Sequence, residues 1–229
     1  QINNDINESL SYQGMLVDQQ QYHGGAVLLI YAGMLTGTNS ESYGPMFYDL
    51  ICQCLHLLSF NYDEASEKLC FGWRNYDNFT QSTYGKALDA GTTLWLADRI
   101  YQAYRYYILD APAIVSQAPY TALYEMSEQL YETFGDKMIL WYVQQDVDSM
   151  AQAFNQILQQ AGKETGGAAE AKDNPSVAAT LPIFEAVDKW RYLCQLTDPF
   201  DYGISGQIPA DAGARYQEAM QILTYLDQQ

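Results

Sequence analysis

With 229 residues the chain is long enough for one good-sized core or two small ones, so it needs neither a metal nor a disulfide simply to fold. Charged residues are only 17%, and polarity is carried instead by Gln, Asn, Ser, Thr and 20 Tyr. Eleven Lys and Arg stand against 28 Asp and Glu, for a formal charge of -17. The basic residues are too scattered to form a patch, which argues against a nucleic-acid partner and against attachment to an anionic bilayer.

The chain begins at Gln1 with no Met, basic n-region or cleavage pattern, which is the expectation for a processed product or a trimmed segment. The longest uncharged run is Gln19 to Ser40, but its apolar centre, Ala26 to Leu35, is too short to span a hydrocarbon core of about 30 Å. Within it GGAVLLIYAGML fits a buried helix or a buried strand. Glycines at 24, 25, 33 and 37 count against helix, yet the helical context favours it. Such a helix carries Val27, Leu28, Leu29 and Ile30 side by side and so shows apolar groups on more than one face. Leu29 and Ile30 are therefore candidates for a subunit or membrane-proximal contact, with ordinary core as the alternative.

Gly44 and Pro45 mark the start of a helix that places Phe47, Leu50, Ile51, Cys54, Leu55 and Leu58 on its core side. The stretch ICQCLHLLSF then poses a choice of chemistry. Cys52 and His56 are one turn apart and could share a metal, but a zinc site needs about four ligands, and only His23, Cys70 and Cys194 remain to complete it. The redox pair with two intervening residues is absent as well. Four cysteines in an exported protein fit two disulfides better, with buried thiols as the second reading. A short helix from about Asn61 to Cys70 would return Cys70 to Cys52 or Cys54, leaving Cys194 to close a long loop.

A helix is expected from Tyr84 to Ala111, with Leu94, Ala97, Tyr101, Tyr104 and Ile108 on one face and Pro112 as its stop. Leu88, Trp95, Arg99, Gln102 and Tyr106 form an adjoining face. Wide aromatic stripes are usually core, but Trp, Tyr and Arg are also the residues of interface hot spots, so this face is a candidate interaction surface. Pro119 opens a helix ending at Gly135, and Asp136 caps another that runs through Ile139, Val143, Val147, Met150, Phe154 and Ile157 to Gly162. Residues 162–180 lose their aromatics and read as a flexible connection. Two helices follow, one over Leu181 to Leu196 and a last one through Ala212, Tyr216, Ala219, Leu223 and Leu226.

Two histidines leave little material for a His-based triad or a multi-histidine metal centre. Carboxylate pairs such as Asp146 with Asp148, or Asp198 with Asp201, suit a glycosidase in principle, but in so acidic a chain they read as solvated surface. Asn7-Glu-Ser and Asn78-Phe-Thr match the glycosylation pattern, which is frequent by chance.

The stretches SYGPMFYDLICQCLHLLSFNYDEASEKLC and LPIFEAVDKWRYLCQLTDPFDYG resemble the IcmX component of type IVB (Dot/Icm) secretion systems. The resemblance implies a non-enzymatic periplasmic role in a transport channel and carries no catalytic residues. The expectation is thus an all-α protein, an irregular helical bundle stapled by disulfides, with a main domain over 1–161, a linker over 162–180 and a C-terminal helical pair over 181–229. It would be periplasmic or secreted, without cofactor, metal or transmembrane span, and would partner itself and other envelope proteins. The alternative is an exported binder of glycans or small ligands with a Trp- and Tyr-lined cleft.

Overall fold

Helix α1 (Tyr43–Leu58) opens where Pro45 fits a first helical turn, and it is the first of seven helices among the described residues of a computed structural model. The structure describes residues 14–17, 26–29, 43–63, 68–77, 82–104, 121–164, 188–198 and 210–227. Among these residues the chain is mostly α-helical, with strands only as three short two-stranded antiparallel sheets. No described helix is long and apolar enough to cross a membrane.

The buried face of α1 is Tyr48, Ile51, Cys52 and Leu55, while Cys54 is exposed and Leu58 is 63% exposed. This corrects the expected orientation: the face is turned so that Cys52, and not Cys54, meets the core. Residues two apart on a helix point roughly 200° apart, so one core cannot receive both.

The segment from Asn61 to Cys70 forms strands where a short helix was expected. Strand β3 (Phe60–Asp63) pairs antiparallel with β4 (Lys68–Phe71), Phe60 opposite Phe71 with ring centroids 6.0 Å apart. That aromatic cross-strand pair is worth more to a hairpin than a single helical turn gains from the same residues. Strands β5 (Asn75–Asp77) and β6 (Ser82–Tyr84) make the next hairpin.

The N-terminal apolar segment is likewise strand rather than helix. Strand β2 (Ala26–Leu29) pairs with β1 (Gly14–Val17), Gly14 opposite Leu29. Four residues bounded by Gly24-Gly25 suit a strand, and the partner GMLV lies too far away in sequence for local periodicity to reveal it. Ile30 lies outside the described residues.

Helices α2 (Lys86–Tyr104) and α3 (Thr121–Phe134) pack together, and of the apolar face expected on α2 Ala97 and Tyr101 are buried, whereas Tyr104 is 56% exposed. Residues 105–111 of the expected helix lie outside the described part. Gly135 ends α3 at φ 58, its N–H donating to the Tyr131 carbonyl at 2.7 Å. The single helix expected to follow is two, α4 (Asp136–Val143) and α5 (Val147–Glu164). The break is held by Gln145, at φ 54, and by Asp146, whose Oδ1 accepts the Ser149 N–H at 3.0 Å as a cap for α5.

Asp188 caps helix α6 (Lys189–Thr197), accepting the Arg191 N–H at 3.0 Å, and Asn155 of α5 accepts the Lys189 and Trp190 N–H groups at 2.9 and 3.0 Å. Helix α7 (Ala212–Asp227) packs on α3 and α6. The core is continuous across these elements: Trp73 lies edge-on to Tyr142 and Trp190, centroids 5.4 and 5.6 Å apart, and Phe154 meets Trp190 at 5.6 Å. Residues 165–187, with most of the expected linker, lie outside the described part.

No disulfide joins the cysteines, so the expected staples through Cys52, Cys54, Cys70 and Cys194 are corrected. Cys52, Cys70 and Cys194 are buried, and Cys54 faces away from the core. Packing in place of bridges holds α6 to the rest of the molecule.

Candidate functional site

A cluster of polar side chains surrounds Asp89, on the first turns of α2, whose side chain is fully buried. Three other elements bring groups to it. Arg74, between β4 and β5, donates from Nε to Asp89 Oδ2 at 2.7 Å. His56, in the last turn of α1, places Nδ1 4.0 Å from the same oxygen, too far for a hydrogen bond. Tyr142 of α4 shares a 2.6 Å hydrogen bond with Thr93, one turn on from Asp89.

The local chain is built to bring these groups together. Gly72 adopts φ 45 in the turn before Arg74, and a Cβ there would run into the Tyr142 ring and Asp89 Oδ1, so only glycine lets the hairpin lie this close. Trp73 is fully buried and donates from Nε1 to Thr92 Oγ1 at 2.9 Å, while Thr92 in turn shares a 3.0 Å bond with Ser127 of α3. Gln145 donates from Nε2 to the Arg74 carbonyl at 3.3 Å and accepts from Asn61 Nδ2 at 3.1 Å. The α4–α5 break is thereby tied to β3 and to the connection between β4 and β5.

Burial sets the electrostatics. Loss of solvent raises the Asp89 pKa above the usual carboxylate value, against the opposing pull of Arg74 and His56. Burial lowers the His56 pKa, Asp89 acting the other way. Tyr142 is pushed well up, first by burial and then by the nearby Asp89. His56 Nδ1 and Asp89 Oδ1 are buried without a hydrogen-bond partner, a costly state in a protein interior. The cluster's most nucleophile-like members serve structure: Ser59 Oγ donates to the Leu55 carbonyl at 2.9 Å, and Tyr142 is sealed in the core.

The expected interaction face on α2 divides. Leu88 and Trp95 are fully buried, which corrects their placement on a partner surface. Arg99 is exposed, its Cζ 4.8 Å from the Trp95 ring centroid and 4.9 Å from that of Tyr131. Gln102 is half-buried and donates to Asp98 at 3.5 Å, and Tyr106 lies outside the described residues. Of the tryptophans, Trp73, Trp95 and Trp190 line the core, and Trp141 is half-buried and packs on Phe134 with centroids 5.9 Å apart.

Sequence reasoning missed Asp89, Arg74 and Tyr142 as a group. The one local signal was an acidic residue among the apolar and small residues KALDAGTTLWLAD, a buried carboxylate in search of a cation. Compared with protein-family models, curated proteins and solved structures, the chain matches none significantly.

Proposed function

We propose that the chain is a non-enzymatic structural component of a bacterial cell-envelope assembly, of the IcmX-like periplasmic kind, acting by protein–protein interaction. The observation that carries this reading is the end of α2, where exposed Arg99 lies over Trp95 and Tyr131, and where Tyr104 is 56% exposed. An arginine held in place by two rings loses little freedom on binding, and Arg beside Tyr is typical of interface hot spots. Its partner is a second copy of this chain or another acidic envelope protein, since exposed Glu125, Glu128 and Glu132 along α3 offer the complementary charge. The resemblance of the two cysteine-bearing stretches to IcmX supports the same compartment and role.

Light scattering on the purified chain tests it. The parent should form a defined oligomer, and Arg99→Glu and Tyr104→Asp should each shift it toward monomer with an unchanged helical circular dichroism signal. A parent that stays monomeric to the limit of solubility, with variants indistinguishable from it, overturns the proposal.

A further inference from the structure

Two groups able to carry positive charge converge on one oxygen of one buried carboxylate. Arg74 Nε holds Asp89 Oδ2 at 2.7 Å, while His56 Nδ1 waits 4.0 Å from that oxygen without a hydrogen-bond partner of its own. The His56 side chain is 20% exposed and that of Arg74 32%, so protons reach the first and water can take over the second. We propose that this is a proton-operated latch: protonated His56 takes Asp89 Oδ2 from Arg74, and the connection between β4 and β5 loosens.

The geometry fixes what moves. Asp89 sits within α2 and cannot travel far, and Gly72 is backed by Tyr142 and Asp89, which stops the turn from following inward. Arg74 is the partner free to swing outward. Its own carbonyl holds Gln145, and Gln145 holds Asn61, so the loosening passes to the α4–α5 break and the β3 strand. The ionisable groups facing Asp89 among the described residues are His56 from α1, Arg74 from the hairpin connection and Tyr142 from α4. Tyr142 keeps its proton across the acidic range because burial raises its pKa. That leaves His56 and Asp89 itself as the groups that change charge on acidification, and only a proton on His56 gives Oδ2 a rival donor to Arg74. Burial lowers the His56 pKa from 6.5, so the latch opens on the acid side of that value.

Hydrogen exchange of the amides in residues 68–77 at pH 7.5 and 5.5, corrected for intrinsic rates, reads the latch directly. Protection in the parent should fall at least about threefold at the lower pH. His56→Gln should abolish the change, and His23→Gln, which removes the chain's other histidine, should leave it intact. Equal protection at both pH values, or a response surviving in His56→Gln, overturns the proposal. Should His56→Gln fail to fold, imidazole and amide resonances of the parent decide: His56 and the amides of Arg74 and Gln145 titrate with one midpoint if the latch exists, and with separate midpoints if it does not.

Discussion

Asp198 caps the start of α2, its Oδ2 accepting the N–H of Gly85, 113 residues earlier, at 3.1 Å and its Oδ1 the Ala87 N–H at 3.3 Å. The residue that ends α6 thus satisfies the orphan donors at the start of α2. Burial raises its pKa, with the Ala87, Gly85 and Lys86 N–H groups opposing. Asp198→Ala leaves two donors without acceptors and should cost about 2 kcal/mol in denaturant unfolding. Asp198→Asn keeps one acceptor and sheds the buried charge, so it should lose clearly less. Equal losses in the two variants would refute the capping role.

Legibility in the sequence followed how local the determining interaction is. Helices α1, α2, α3 and α7 could be read because their apolar spacing, with Pro45 and Gly135 as punctuation, lies within each segment. The β1–β2 and β3–β4 hairpins could not, since Gly14 pairs with Leu29 and Phe60 with Phe71 across intervening chain. The α4–α5 break depends on Gln145 meeting Asn61 and the Arg74 carbonyl, 84 and 71 residues away. The Asp89 cluster was hidden for the same reason, because its members come from four elements. Cysteine count suggested bridges, but a thiol's partner is decided by where its helix face points, and Cys52 and Cys54 point apart.

Gly72 and Gly135 both adopt positive φ, 45 and 58, yet their surroundings differ. A Cβ at Gly72 meets Tyr142 and Asp89, whereas a Cβ at Gly135 meets nothing within 4 Å. Gly135→Ala should therefore cost only the left-handed backbone penalty, about 1 kcal/mol. Gly72→Ala should cost about 3 kcal/mol or more, because strain adds to overlap. Thermal unfolding of the two variants side by side checks this, and similar losses would show that the hairpin is not held against Tyr142.

The cysteines give a chemical readout of burial. Native protein treated with a thiol reagent should modify Cys54 first, since it alone of the four is exposed. Cys194 should be slowest, because burial holds it out of reach and pushes its pKa well up, keeping it a thiol. Denatured without reductant, the chain should yield four modified thiols. Two or none would restore the disulfide reading.

The sign of the pH dependence at Asp89 is fixed by whether burial or Arg74 prevails. Burial prevails, so the folded pKa lies above 3.8. A carboxyl group of this kind binds its proton more tightly when folded; its contribution to stability is fully present below 3.8 and is lost as pH rises through the folded pKa. His56 runs the other way: its folded pKa lies below 6.5, so its contribution is complete above 6.5 and is lost as pH falls through the folded value. The two are separated in a His56→Gln background, with and without Asp89→Asn, by urea unfolding between pH 7 and 4. Since only the protein that retains Asp89 gains a proton on folding, the stability gap in its favour should widen as pH falls. A gap that narrows would mean that Arg74, through its 2.7 Å hydrogen bond, depresses the Asp89 pKa more than burial raises it. The ionised carboxylate would then be the form the fold prefers.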